Sequence, residues 1–197
     1  MDDWQDVRKW RNKQRRRLVA ARQDLCGEAR QAAEAAITRH IHATISDLYE
    51  SAIGFYWPFR GEFNCRPLMK ECVNNGAHAA LPVIEREQAP LAFKGWRPET
   101  KMTHGIWNIP VPQNEASVEP EMILVPLVGF DSLGFRLGNG GGYYDRTLAA
   151  LKEQSKKPLT VGVGFEFCRL ETIYPQAHDM LMDMIITDES CFTKQQR

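Results

Sequence analysis

Met122-Ile-Leu-Val-Pro126 runs directly into Leu127-Val-Gly-Phe-Asp-Ser-Leu-Gly-Phe-Arg-Leu-Gly-Asn-Gly-Gly-Gly-Tyr-Tyr-Asp-Arg146, and this stretch decides the fold. Its first five residues form an unbroken apolar run, which is typical of a strand buried on both faces of a sheet. Glycines then recur up to Gly142, and a helical pattern through Thr147, Leu148 and Leu151 follows. A buried strand, a glycine-rich loop and a helix in this order indicate an α/β fold with a ligand at the loop.

The glycine-rich loop is suited to bind phosphate. Glycines at 138, 140, 141 and 142 let backbone N–H groups approach phosphate oxygens, and the start of the helix adds positive potential. Arg136 offers a bidentate phosphate contact, and Asp145 in the first helical turn is suited to hold magnesium. The loop matches neither the Walker A pattern nor the dinucleotide-binding fingerprint. On spacing alone, a flexible turn with an acidic cap remains the alternative.

The elements on either side alternate between helices and short apolar strands. The predicted elements are helices over 4–49, divided at Gly27, and over 68–75, strands over 52–57, 79–84, 159–165 and 184–187, and an irregular segment over 96–112. This alternation predicts an α/β fold with a mostly parallel sheet covered on both faces. Ligands of such folds bind outside the carboxyl ends of the strands, so the loops after Trp57, after Pro126 and after the last strands are the candidates.

Length and composition predict one globular domain over 1–197. The hydrophobic share is 43% and the charged share 25%, as in ordinary globular proteins. Lys+Arg and Asp+Glu each number 25, so net charge gives no reason to expect a nucleic-acid or membrane partner. The basic segment 8–22 lacks the features of a targeting peptide, and we expect a cytoplasmic protein. Five cysteines without a CxxC pair argue against disulfides and structural zinc.

Five ordered motifs resemble one enzyme family. Residues 126–145 resemble the signature of the 5-formyltetrahydrofolate cyclo-ligases, or methenyltetrahydrofolate synthetases: Pro-Gly-x-x-Phe-Asp, Arg-Leu-Gly and Gly-x-Gly-Tyr-Tyr-Asp. The other motifs are Phe55-Tyr-Trp-Pro-Phe-Arg-Gly-Glu62, Leu81-Pro82, Trp107-Asn-Ile-Pro110 and His178-Asp179-x-x-x-Asp183. The resemblance covers nearly the whole chain. It implies a three-layer α/β/α sandwich with a mostly parallel sheet (NagB/RpiA/CoA-transferase-like), onto which N-terminal helices within 1–50 pack.

The resemblance also implies a reaction. Family members use ATP and Mg²⁺ to convert 5-formyltetrahydrofolate into 5,10-methenyltetrahydrofolate, releasing ADP and phosphate. Phosphorylation turns the formyl oxygen into a leaving group, and the neighbouring folate nitrogen closes the ring. The protein must mainly align the transferred phosphoryl group and neutralise its charge. The implied ligands are therefore ATP, Mg²⁺ and a reduced folate, with or without a polyglutamate tail, and we expect a monomer.

The same resemblance assigns roles to individual residues. The residues expected to contact ATP are Arg11, Arg15, Arg136, Leu137, Gly138, Asn139, Gly140, Gly141, Gly142, Tyr143, Tyr144 and Asp145. Arg136, Tyr144 and Asp145 are the expected catalytic residues. Asp145 and Asp183 are the expected magnesium ligands, with Asp179 as a rival. The residues expected to bind the folate are Glu62, through the pterin N–H groups, and the aromatic residues Trp57, Phe59, Trp107 and Tyr144.

Some features leave alternatives open. Gly141 and Asn139 stand where many family members carry basic residues. The family's N-terminal Lys-x-x-x-Arg pair is matched best by 11 and 15, although 13 and 17 fit the same spacing. Other readings are a ligase or kinase-like enzyme for a different heterocycle, a non-catalytic module that binds a phosphorylated ligand or folate, and a nucleic-acid arm at the N-terminus. The acidic pair Asp145 and Asp183 favours catalysis, and the balanced charge disfavours nucleic acid.

Overall fold

The structure is a computed structural model that describes residues 3–193, and within that range it contains four α-helices and twelve strands. The helices are α1 (Trp4–Asp24), α2 (Gly27–Thr44), α3 (Arg66–Asn74) and α4 (Tyr143–Glu153). The strands are β1 (Ala52–Gly54), β2 (His78–Val83), β3 (Ala92–Trp96), β4 (Met102–His104), β5 (Pro110–Pro112), β6 (Met122–Pro126), β7 (Gly129–Asp131), β8 (Arg136–Leu137), β9 (Leu159–Val163), β10 (Arg169–Leu170), β11 (Met184–Ile186) and β12 (Cys191–Thr193).

The N-terminal helices begin and end where local chemistry dictates. The side chain of Asp3 caps α1 by accepting a hydrogen bond from the N–H of Gln5 at 3.0 Å. Gly27 has a φ of +58°, which glycine adopts without strain, and the chain turns there into α2. Ile37 and Ile41 lie one turn apart on α2 and are fully buried. The predicted pair of helices is confirmed, although α2 ends at Thr44.

The central sheet has seven strands in the order β12-β11-β9-β6-β1-β2-β3. The five inner strands are parallel, whereas β3 and β12 pair antiparallel at the two edges. Crossover connections between parallel strands are right-handed. The connection from β1 to β2 contains α3, and the connection from β6 to β9 contains α4. Because these two connections run in opposite directions across the sheet, the two helices cover opposite faces. The predicted mostly parallel α/β sandwich is confirmed.

The strand order reverses between β1 and β6. From β1 the chain proceeds to β2 on one side, and from β6 it proceeds to β9 and β11 on the other. Neighbouring loops leave the sheet in opposite directions at such a switch point and open a crevice at the carboxyl ends of the strands. The loops at this position are 55–65 and 127–142, which carry most of the predicted site residues.

The hydrophobic core surrounds the switch point. Ile53, Ile123 and Val161, on three adjacent strands, have no solvent exposure. Gly54 permits close packing, because a Cβ there would lie 2.6 Å from the ring of Phe93 on β3. A rigid, fully packed centre fixes the directions in which the neighbouring loops leave the sheet. No helix within residues 3–193 is long and apolar enough to cross a membrane.

Three small features differ from the sequence-based prediction. The edge strands β3 and β12 were not predicted, and β1 ends at Gly54 rather than at Trp57. Part of the predicted glycine-rich loop forms a second sheet in the order β10-β7-β8. The buried carboxylate of Asp131 organises that sheet by accepting hydrogen bonds from the N–H groups of Leu133, Phe135 and Ile173, all at 3.1 Å. These bonds turn the start of the loop into rigid structure.

Candidate active site

A cavity of about 540 Å³ lies at the carboxyl ends of β1 and β6. The loop after β1, the glycine-rich loop, the start of α4, α1 and the β4–β5 hairpin all line it. All of the predicted site residues except Asp183 are among the lining residues. The sheet topology therefore brings together residues that are up to about 170 positions apart in the sequence, such as Arg11 and Asp179.

The glycine-rich loop is held by arginines from both sides. Nε of Arg15 donates to the carbonyl oxygen of Gly138 at 2.8 Å, and Nη2 of Arg146 donates to the carbonyl oxygen of Gly141 at 2.6 Å. Gly142 has a φ of +66° and precedes the first turn of α4. Because no Cβ is present, the guanidinium of Arg146 can lie against it: a Cβ would be 2.9 Å from Nη1. The loop thus places a helix N-terminus and two cations beside the cavity.

Arg136 and Asp145 form a buried ion pair at the base of this loop. Their side chains are 4% and 14% exposed, and Nη2 lies 2.9 Å from Oδ1. The same Oδ1 accepts a hydrogen bond from the N–H of Met180 at 3.0 Å. Nε of Arg136 and the hydroxyl of Tyr144 are buried and have no hydrogen-bond partner among the described groups. Unsatisfied donors next to a cavity are suited to receive ligand oxygens.

Glu62 is the buried acid of the loop after β1. It is 5% exposed, and its carboxylate accepts hydrogen bonds from the N–H of Phe59 at 3.0 Å and from the amide of Asn139 at 3.2 Å. Nη2 of Arg22 lies 4.0 Å away. Burial raises the pKa of Glu62, and the charge of Arg22 and these hydrogen bonds partly oppose the rise. Glu62 also lines the cavity, where a ligand with N–H donors can reach its oxygens.

Aromatic side chains form the walls beside Glu62. Trp57 and Phe59 are half-buried in the loop after β1 and line the cavity. Trp107 is 57% exposed and has a φ of +58°, and its ring meets that of Tyr143 edge to face at 5.9 Å. Burial raises the pKa of Tyr144, so its hydroxyl stays protonated and can donate. Flat apolar walls around an acid and a hydroxyl donor suit a heterocycle with polar edges.

Of the two candidate basic pairs on α1, the pair at 11 and 15 faces the cavity. Arg11 and Arg15 line the cavity, whereas Lys13 and Arg17 are exposed on other faces of α1. The two cavity arginines differ in what they contact. Arg11 donates to the carbonyl oxygens of Ile173 and Tyr174 and to the carboxylate of Asp179. Arg15 donates to the glycine-rich loop. Both arginines also line an adjoining cavity of about 310 Å³.

The position of Asp183 contradicts the prediction that it shares a metal ion with Asp145. Oδ2 of Asp183 accepts hydrogen bonds from the N–H and the hydroxyl of Thr160, at the amino end of β9. The cavity lies at the carboxyl ends of the strands, so Asp183 is on the opposite edge of the sheet. Asp179, four residues earlier in the chain, does line the cavity, where Arg11 pairs with it. Spacing in the sequence gave no information on the edge at which each acid lies.

Two residues that hold the loops around the site were missed by sequence reasoning. Arg22 is 1% exposed and donates to the carbonyl oxygens of Leu127 at 2.7 Å and Arg60 at 3.0 Å, so it ties together the loops after β6 and β1. Asp131 organises the small sheet. Arg22 was detectable, because it follows Arg11, Arg15 and Leu18 at helical spacing and therefore shares their face of α1. Asp131 carried a different signal, because it is the acid of the Phe-Asp pair within the motif at 126–145.

The fold and the cavity define an α/β enzyme with a glycine-rich loop and an aromatic, acidic pocket at a topological switch point. The family model described as the 5-formyltetrahydrofolate cyclo-ligase family matches residues 7–188. The chain therefore belongs to that family, as the sequence motifs predicted.

Individual relatives agree with this assignment. A 5-formyltetrahydrofolate cyclo-ligase from Haemophilus influenzae is 31% identical over 163 residues, covering 78% of this chain and 85% of the relative. One from Escherichia coli is 28% identical over 141 residues, covering 68% and 76%. The structure of a 5,10-methenyltetrahydrofolate synthetase from Aquifex aeolicus superposes with a TM-score of 0.79 at 26% identity, covering 95% of this chain and 94% of the other.

Proposed function

We propose that this chain converts 5-formyltetrahydrofolate and ATP into 5,10-methenyltetrahydrofolate, ADP and phosphate, and that it requires Mg²⁺. Membership of the family supports the folate reaction. The observation that carries the proposal is the junction, in one cavity, of an anion-binding loop with a buried carboxylate between aromatic walls. A phosphoryl donor and a flat acceptor must meet in this way for transfer to occur.

The nucleotide phosphates fit the glycine-rich loop. Backbone N–H groups at 138–143 and the N-terminus of α4 supply fixed positive potential for anionic oxygens. Arg15 and Arg146 lie on either side of the loop, and each donates to a loop carbonyl, so both side chains are close to any bound phosphate. The buried Nε of Arg136 has no hydrogen-bond partner among the described residues and is placed to neutralise charge on the transferred group.

Magnesium fits Asp145 with ligands completed by phosphate and water. No cluster of three or more His, Cys, Asp or Glu side chains in residues 3–193 forms a cage for a metal ion. Magnesium sites with nucleotides commonly have only one or two carboxylates, so the single acid beside the loop is compatible with that chemistry. The ion would supply charge neutralisation for the phosphates. Asp145 has to loosen its pair with Arg136 to act as a ligand, which would release that guanidinium towards phosphate.

The folate fits the other half of the cavity. Glu62 is positioned to accept hydrogen bonds from the amino and ring N–H groups of the pterin, and each of its oxygens has lone pairs beyond its present partners. Trp57, Phe59 and Trp107 would contact the faces of the flat rings. The hydroxyl of Tyr144 lies in the same cavity without a hydrogen-bond partner in residues 3–193, and it is suited to orient the substrate at the reacting end. Enclosure by these rings also excludes water from the transferred phosphoryl group.

A turnover assay tests the proposal directly. Purified protein mixed with 5-formyltetrahydrofolate, ATP and Mg²⁺ should generate the absorbance of the methenyl product together with one ADP per product. Omission of ATP or chelation of Mg²⁺ should each abolish the signal. Product formation that persists without ATP, or ATP hydrolysis without methenyl product, would contradict the proposal. A cytoplasmic location and a monomeric state remain part of the proposal, the first supported by five free cysteines in residues 3–193.

A further inference from the structure

Asn139 occupies an unusual place in the glycine-rich loop. It is the one residue with a polar side chain between Leu137 and Tyr143, and that side chain points across the cavity. Its amide donates to Oε1 of Glu62 at 3.2 Å, so the donor that could have reached a phosphate reaches the folate loop instead. The side chain therefore joins the tip of one binding loop to the ligand-binding acid of the other.

Arg22 also ties the same two loops together. It donates to the carbonyl oxygen of Leu127, at the beginning of one loop, and to that of Arg60, two residues before Glu62 in the other. Because Arg22 is almost fully buried, these ties do not depend on ligands. The tip of the glycine-rich loop is different. Asn139 and Gly140 are exposed, Gly140 has a φ of +103°, and a chain rich in glycine has much conformational freedom to lose when it is fixed.

We propose that the Asn139–Glu62 hydrogen bond couples the two halves of the cavity, so that nucleotide and folate bind cooperatively. This inference rests on the proposed function and adds a positioning role for Asn139. Phosphates that bind the loop amides fix the loop tip, and the fixed tip holds Glu62 in the orientation that accepts the pterin. The second ligand then meets a site that is already ordered, which raises its affinity. Linkage requires the effect to be equal in both directions.

The test measures binding without turnover. The non-hydrolysable analogue AMP-PNP with Mg²⁺, and 5-formyltetrahydrofolate, are titrated alone and in the presence of the other by calorimetry. In the wild type each ligand should strengthen the other by about tenfold, within the usual range of coupling between sites. In Asn139→Ala this factor should fall to within about twofold of unity, and Asn139→Asp, which has no amide donor and repels Glu62, should lose it as well. Asn74→Ala changes an exposed asparagine of α3 outside the cavity and should keep the coupling.

The outcomes separate this inference from the proposed function. If the wild type binds neither ligand, the proposed function itself fails. If it binds both ligands but each with the same affinity whether or not the other is present, cooperativity is refuted while the function stands. If Asn139→Ala weakens the analogue equally with and without folate, so that the coupling factor is unchanged, Asn139 is a phosphate ligand or a structural residue and the inference is wrong. Amide hydrogen exchange at 138–142 provides a second readout: the analogue should slow it in the wild type and in both variants.

Discussion

Replacing Asp145 with asparagine is a sharp test of the nucleotide site, because the carboxylate has two structural partners and one proposed ligand. Its Oδ1 lies 2.9 Å from Nη2 of Arg136 and accepts a hydrogen bond from the N–H of Met180 at 3.0 Å. Asparagine preserves the size of the side chain and the acceptor oxygen but removes the charge. Any change in magnesium dependence then reports on the charge alone.

The structure sets the expected loss of stability. An uncharged acceptor in place of a carboxylate weakens the interactions with Arg136 and Met180, for which a loss of about 1–2 kcal/mol in the free energy of unfolding is expected. Both variants leave the 4%-exposed Arg136 side chain without its counter-charge, but Asp145→Ala also removes the accepting oxygen, so a loss of about 3–5 kcal/mol is expected for the alanine variant. Domains of this size are commonly stable by about 5–15 kcal/mol, so the asparagine variant should remain folded.

The assay combines denaturant unfolding, nucleotide binding and turnover. Asp145→Asn should unfold at a slightly lower denaturant concentration, lose about 100- to 1000-fold in kcat, and bind AMP-PNP with an affinity that no longer depends on Mg²⁺. The matched control is Asp183→Asn, whose carboxylate lies at the other edge of the sheet and should leave the magnesium dependence intact. If Asp145→Asn keeps both its turnover and its magnesium dependence while losing stability, Asp145 is a structural partner of Arg136 and not a metal ligand.

Three further variants test other parts of the site. Burial raises the pKa of Glu62, so folate affinity should be full above that raised pKa and decline by up to about tenfold per pH unit as the pH falls through it. Glu62→Gln should bind folate weakly, with an affinity that does not change between pH 5 and 8 in calorimetry. A variant with the same pH dependence as wild type would show that Glu62 does not bind the folate. Burial alone would raise the pKa of Asp179, but hydrogen bonds from Arg11 and Gln176 hold the pKa below its ordinary value of 3.8. The stability that Asp179 contributes is therefore full above 3.8 and is lost as the pH falls through the lower pKa of the folded state. Urea unfolding should show Asp179→Asn less stable than wild type at pH 7, with a gap that narrows as the pH falls below 3.8, and a gap that widens there would contradict this sign. Gly142→Ala should lower the free energy of unfolding by about 1–2 kcal/mol, because the residue has a φ of +66°. It should also weaken the binding of AMP-PNP, because the added Cβ displaces the guanidinium of Arg146. An unaltered nucleotide affinity would show that the position of Arg146 is unimportant for binding.

The parts of the fold that depend on local pattern were predictable. The apolar run of β6 and the glycines and acidic turn after it identified a strand, a loop and a helix, and the observed β6 and α4 lie where that pattern placed them. The edge strands β3 and β12 were not predictable in the same way. Each has only one neighbouring strand in the sheet, although β3 also forms a single bridge from Lys94 to Ser117 on its other side. The sequence of such a strand is not required to be continuously apolar, and tertiary pairing rather than local pattern makes it a strand.

The site was predictable where one segment carries the residues, and less so where distant segments meet. Glu62 and Arg136 were identified within motifs and lie in the same cavity. Asp183 was misplaced, because the sequence shows that an acid precedes a strand but not that its carboxylate caps Thr160 at the amino edge. The contact between Asn139 and Glu62 spans 77 positions and two loops, and no spacing rule applies to such a pair.

The central claim is that a nucleotide's phosphates lie on the backbone N–H groups of the glycine-rich loop while a folate lies against Glu62 in the same cavity. A crystal structure with AMP-PNP, Mg²⁺ and 5-formyltetrahydrofolate tests it most directly. We predict phosphate oxygens within hydrogen-bond distance of N–H groups at 138–143 and the pterin edge against the Glu62 carboxylate. Phosphates bound elsewhere, or a pterin that lies away from Glu62, would contradict the account.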